Sequence, residues 1–83
     1  MKITITEDQA YSIGSFLFSA AAKFKELAEE SAKAAAVLEA NGARPDNGME
    51  GLSRQFKHQC KQAEKFAEMF QNAVGDIEIE VAE

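Results

Sequence analysis

Eighty-three residues make one small domain, in a size range where a single core gives little net stability and slender helical chains often gain burial by oligomerising. Apolar residues at 46% and charged residues at 28% exclude a disordered tail, and a formal charge of −5 argues against coating nucleic acid, which needs clustered cations for counterion release. The one cysteine, Cys60, excludes an internal disulfide framework and leaves a reducing cytoplasm as the default compartment, while no apolar run approaches the length of a membrane span.

Residues 1–6 alternate, with Ile3 and Ile5 on one side and Lys2, Thr4 and Thr6 on the other, which predicts a short strand with one buried face. This opening carries no long apolar core and no small-residue cleavage site, so no secretory signal is expected. Thr6-Glu7-Asp8-Gln9 then has the form of a capping box, with two acids placed where the helix dipole is positive. A helix over 7–40 follows. Its apolar seam reads Ile13, Leu17, Ala20, Phe24, Leu27, Ser31, Ala34 and Leu38, at alternating steps of four and three. Beside it runs a heptad stripe of small residues, Gly14, Ala21, Ala28 and Ala35, that would let another backbone approach closely. Lys25 with Glu29, and Glu29 with Lys33, are spaced for ion pairs on the outer face.

Asn41-Gly42 supplies a left-handed terminator and Pro45 prevents continuation, so 41–46 is a connecting loop. Asp46 or Asn47 can cap a second helix over 47–74, whose apolar positions are Met49, Leu52, Phe56, Ala63, Phe66, Phe70 and Ala73, with Gln59 in the one polar place. Gly75 closes it, and 76–82 alternates again, with Ile77, Ile79 and Val81 opposite Glu78 and Glu80, as a second strand. A short connection forces the helices antiparallel. A register in which paired residue numbers sum to ninety sets large against small side chains, Phe24 against Phe66 among them, and brings the polar pair Ser31 and Gln59 together.

The expected fold is therefore α+β and predominantly helical: one domain over 1–83, a long antiparallel αα-hairpin capped by a two-stranded antiparallel ribbon in the order β-α-α-β, with Lys2 near Glu80. Tyr11, Phe16, Phe18, Val37 and Met69 fall off the seam. They either cover the ribbon or join two hairpins as a homodimer, a helical bundle that could also pair strands into a four-stranded sheet.

Chemistry-bearing residues are sparse. His58 and Cys60, two apart on a helix, do not share a face, and no second histidine or cysteine completes a zinc shell, so neither a metal nor a catalytic nucleophile is expected and Cys60 reads as a small core residue. Arg54, His58, Lys61 and Lys65, with Lys57 adjacent, form a basic stripe facing Glu26, Glu29, Glu30 and Glu39 of the first helix. It is either a solvated, ion-paired face or a site for a nucleotide or other polyanion. Asp76, Glu78, Glu80 and Glu83, with Glu7 and Asp8, form an acidic edge. Such an edge discourages strand aggregation, or it mimics the charge of nucleic acid or otherwise docks on a basic protein groove.

The functional expectation is a non-enzymatic interaction protein without cofactor, an inhibitor or accessory protein that docks on another protein through Asp76, Glu78, Glu80, Tyr11 and Phe18. Viral accessory proteins offer an analogy of fold type only. The alternative is an oligomeric small-ligand binder using Arg54, Lys57, His58, Lys61 and Lys65. Partners in either case exclude the membrane and disfavour nucleic acid.

Overall fold

A computed structural model describes residues 1–82 of the chain, leaving Glu83 of the acidic edge outside the described residues. The chain runs β1 (Lys2–Ile5), α1 (Glu7–Ala40), α2 (Gly48–Gln71) and β2 (Ile77–Glu80). The two helices pack against each other along their length and the two strands pair antiparallel, which is the expected β-α-α-β arrangement.

The first turn forms as the sequence dictates. Thr6 Oγ1 accepts from the Gln9 amide at 3.2 Å, and Gln9 Oε1 accepts from the Thr6 amide at 3.0 Å, so two amides that a helix start would leave orphaned are satisfied reciprocally. At the other end of α1 the Gly42 amide donates to the Glu39 carbonyl and the Ala43 amide donates to the Leu38 carbonyl. This crossed pair requires a left-handed residue between them, and Gly42, at φ 98°, supplies it.

Asn47 rather than Asp46 caps α2. Its Oδ1 accepts from the amides of Met49 and Glu50, while Nδ2 donates to the carbonyls of Arg44 and, across the hairpin at 3.4 Å, Ala35. The start of α2 is thus level with Ala35 and not with the end of α1. The second helix also stops short of the expected residue 74: it ends at Gln71, with Asn72 as its cap, and Gly75 takes up a positive φ of 74° in the link to β2.

The seam between the helices differs from the expected one. On α1 the buried residues are Ala10, Gly14, Ala21, Ala28, Ser31 and Ala35, and on α2 they are Ser53, Cys60, Ala63 and Ala67. The stripe of small residues is the contact, and the large residues flank it. Gly14 faces Ala67, Ala21 packs with Cys60, and the Ser53 hydroxyl donates to the Ala28 carbonyl at 2.9 Å. In each of these pairs the residue numbers sum to 81, close to the sum of 82 in the strand pair Lys2↔Glu80. The expected sum of ninety is corrected accordingly, a slide of about 13 Å at 1.5 Å per residue. Phe24 consequently stacks on Phe56, with ring centroids 6.3 Å apart, and not on Phe66. Gln59 lies about two and a half turns from Ser31, so that polar pair does not form. The cause is steric: helix backbones approach most closely where both present small side chains, and the loop folds back along α1 to permit it.

The result is a slab with extents of 54 × 26 × 12 Å, one helix diameter thick. Among the described residues no phenylalanine, leucine or isoleucine is buried, and the apolar core consists of alanines and Cys60.

Candidate interaction surfaces

The ribbon projects from the open end of the hairpin. Its register, Lys2↔Glu80, Ile3↔Ile79, Thr4↔Glu78 and Ile5↔Ile77, sets the four isoleucines on one face and the charged residues on the other. Ile3 and Ile5 lie over a shallow groove completed by Asp8, Gln9, Ser12 and Ile13 of α1. Tyr11, Phe16 and Phe18 do not cover the ribbon, because the first turns of α1 turn other residues toward it; they stand exposed, Tyr11 by 60% and Phe16 by 76%.

The acidic edge is partly neutralised in place. Lys2 Nζ lies 3.4 Å from Glu78 Oε1, and the Met1 amino group lies 3.9 Å from Glu80 Oε1, both pairs well exposed and worth little in stability. Glu7 accepts from the Gly75 amide at 3.3 Å, which holds Asp76, the next residue, at the start of α1. Tyr11 follows Glu7 by one helical turn on the same side. Asp8, Asp76 and Tyr11 therefore share the ribbon end of the molecule. Phe18, seven residues after Tyr11, continues the same stripe along α1; of the residues expected to interact, Tyr11 and Phe18 are exposed and Asp76 makes no ion pair with another described residue.

Two long surfaces flank the seam. Lys25 follows Phe24 by about 100° around α1, and Lys57 follows Phe56 likewise on α2, so the stacked phenylalanines and the lysines emerge on opposite sides of the slab. The lysine side holds a groove lined by Lys25, Glu29, Lys57, Lys61 and Glu64, with Ala28 and Cys60 at its floor. Two members of the basic stripe, Lys57 and Lys61, thus meet Lys25 of α1, whereas Arg54, His58 and Lys65 are exposed outside the groove. The expected ion pairs across or along the helices are not made. Lys25 and Glu29, and Glu29 and Lys33, stand apart, and the one pair within α1 is Lys23 with Glu26 at 3.5 Å.

Cys60 Sγ contacts Glu64 Oε1 at 3.5 Å. Burial, first, and then the hydrogen bond and negative charge of Glu64 push its thiol above the ordinary value of 9.0, against a smaller opposing pull from Lys25. The thiol is protonated at neutral pH, which is the reverse of what a nucleophile requires. No group of His, Cys, Asp and Glu among the described residues is arranged to hold a metal ion, and no described helix is long and apolar enough to cross a membrane.

The other side of the slab is apolar. Ile13, Leu17, Ala20, Phe24, Leu27 and Ala34 of α1, Leu52, Phe56 and Phe70 of α2, and Ala73 just beyond it are half-buried there, with Phe66, Leu38 and Met49 more exposed. These are the residues that periodicity marks as a seam. They do form a continuous apolar strip, but one that lies beside the helix contact and faces outward.

Comparison with protein-family models, with curated proteins and with solved structures finds no match to this chain.

Proposed function

We propose that this chain is a non-enzymatic interaction protein that self-associates and docks on another protein, as an inhibitor or accessory factor would. One observation carries the reading: every large apolar side chain of the hairpin among the described residues stands wholly or partly in solvent, because the buried part of the helix contact is made of small residues, with the Phe24 and Phe56 stack at its edge. The docking surface in this reading runs from the ribbon end along α1: Tyr11 and Phe18 offer aromatic area, and Asp76, Glu78 and Glu80 offer negative charge to a basic partner. A raised thiol on Cys60 and an exposed, isolated His58 support the absence of nucleophilic chemistry from the reading.

The test is capture of a partner by the full chain, repeated with Tyr11→Ala plus Phe18→Ala and with Glu78→Lys plus Glu80→Lys. A genuine partner is lost with the aromatic pair and shows weakened, salt-dependent binding with the charge reversal. Retention at equal affinity by both variants sinks the ribbon end as the contact.

A second reading has its own observation. Lys25, Lys57 and Lys61 surround one groove and none of them is ion-paired to another described residue, which suits a small polyanion. A nucleotide at a hundred times its dissociation constant would raise stability by about 2.7 kcal/mol, so a thermal-shift panel of nucleotides discriminates the two readings.

A further inference from the structure

We infer that the apolar side of the slab is covered by a second copy of this chain, packed antiparallel about a twofold axis that crosses the helices near Gln59. The inference rests on the reading of the chain as a self-associating interaction protein and specifies which face is used and how.

Size is the first argument. The 54 × 26 Å outline projects to about 1,400 Å², so covering a little over half of this side would bury the roughly 800 Å² per partner of a standard stable interface. The strip runs the whole length of the hairpin and carries no charge: its members are Ile13, Leu17, Phe24 and Leu27 on α1 and Leu52, Phe56, Phe66 and Phe70 on α2, with alanines between them. On α1 the strip breaks its large residues with Ala20 and Ala34, while on α2 Leu52, Phe56, Phe66 and Phe70 stand out on either side of Gln59, so the face has relief that can interlock with its own copy. A slab one helix thick that stacks on its own copy becomes a four-helix bundle, in which those side chains would form the core that a single hairpin lacks.

Gln59 fixes the axis. It is the one polar side chain in the strip on α2, half-buried, and makes no hydrogen bond to any described residue. It sits at the middle of α2, and through its neighbour Cys60, which packs on Ala21, it is level with the middle of α1 within a turn. An axis crossing the helices at that level stacks α2 on α2 in opposite directions and brings the two Gln59 amides together. Each amide has a donor and an acceptor, so the pair satisfies itself. An axis parallel to the helices would instead press Gln59 on the Ala20 and Phe24 region of its mate, burying an amide without a partner at a cost of about 1–3 kcal/mol. With the crossing axis the two ribbons lie at opposite ends of the bundle and do not merge into one sheet. Both lysine grooves and both acidic ribbon ends face outward.

The experiment uses the full chain alone, so that its outcome is independent of any docking partner. Light scattering after gel filtration should give twice the 9.1 kDa chain mass. Phe66→Glu, at a position already 44% exposed in the single hairpin, should give a monomer that keeps its helical circular dichroism, whereas Tyr11→Glu on the opposite side should leave the dimer intact. For the axis, Cys60→Ala removes the native thiol. In that background Gln59→Cys should be joined efficiently by a short bismaleimide, while Phe66→Cys, whose own mate would lie about 20 Å away along the bundle, should not. A monomeric wild-type chain overturns the inference. So does a dimer split by Tyr11→Glu and not by Phe66→Glu, or one in which the two cysteine variants cross-link equally. A sound antiparallel dimer that captures no other protein leaves this inference standing and removes only the docking reading.

Discussion

Replacing Gly14 by alanine tests the close seam directly. A Cβ at this position would collide with Cγ of Gln71 and stand 2.9 Å from the Ala67 carbonyl oxygen and 3.1 Å from the Gln71 amide nitrogen. The Gln71 side chain can swing away, although doing so breaks its 3.0 Å hydrogen bond to Ser15 Oγ. The Ala67 backbone can yield only if α2 moves outward. Alanine in place of glycine inside a helix gains roughly 1 kcal/mol of propensity, whereas overpacking a tight interior costs about 1–3 kcal/mol, so a net loss of about 1–2 kcal/mol is expected once the lost hydrogen bond is included. For a domain of this size that lowers Tm by about 5–15 °C. Gly51→Ala is the control: nothing lies within 4 Å of its Cβ, and it should gain about 0.5–1 kcal/mol. Both variants are followed by helical circular dichroism in urea at one protein concentration, because association would shift the midpoint by mass action. If Gly14→Ala proves as stable as the wild type while Gly51→Ala shows its gain, the helices are farther apart than described and the small-residue seam is wrong.

Two further predictions concern the same seam. Ser53→Ala removes the buried hydroxyl that donates to the Ala28 carbonyl and should lower stability by about 0.5–1.5 kcal/mol with an unchanged urea m-value; no loss would mean the bond contributes nothing across the hairpin. Cys60 should make the protein sensitive to alkali. Its thiol is raised above 9.0 in the folded chain, so below that pH both states hold the proton and the full stability is present. Above it the unfolded chain loses the proton first, and stability falls as pH rises toward the folded value. Urea midpoints between pH 8 and 10 should therefore decline in the wild type more steeply than in Cys60→Ala, and equal slopes would refute the assignment.

Local structure was legible because the signals are local. The alternation of Ile3 and Ile5 with polar neighbours, the Thr6 and Gln9 box, and Asn41-Gly42 each determine their structure within a few residues, and the ribbon register follows from joining the two ends of a hairpin. Which of two adjacent helical stripes makes the contact is not a local matter. Hydrophobic periodicity points to Phe24 and Leu27, since bulk carries the larger transfer free energy, yet it cannot say whether the partner is the other helix or another molecule. The signal that could have decided it is a second heptad of small residues, Ser53, Cys60 and Ala67, which matches Gly14, Ala21 and Ala28 at a constant sum of 81, one residue from the strand register. The site was harder still. The basic stripe is collinear on α2, but only Lys57 and Lys61 reach the groove, and the third cation there, Lys25, comes from the other helix through a register that the sequence does not display.

A small-residue seam has an energetic consequence for the whole molecule. Burying a full phenylalanine, leucine or isoleucine side chain contributes about 1.5–3 kcal/mol, and this hairpin buries none of them among its described residues. Close backbone approach and the Ser53 bond hold the helices in register, but they remove little apolar area from water. The area that could stabilise an 83-residue chain is concentrated instead on one side of a slab one helix thick. Folding and association then draw on the same side chains. A partner that covered Phe24, Phe56, Phe66 and Phe70 would stabilise the hairpin as it bound, and loss of that partner would act on the fold as a denaturant does. For this chain, the strength of its interactions and the persistence of its structure are therefore linked quantities, and a substitution on the apolar face should move both in the same direction.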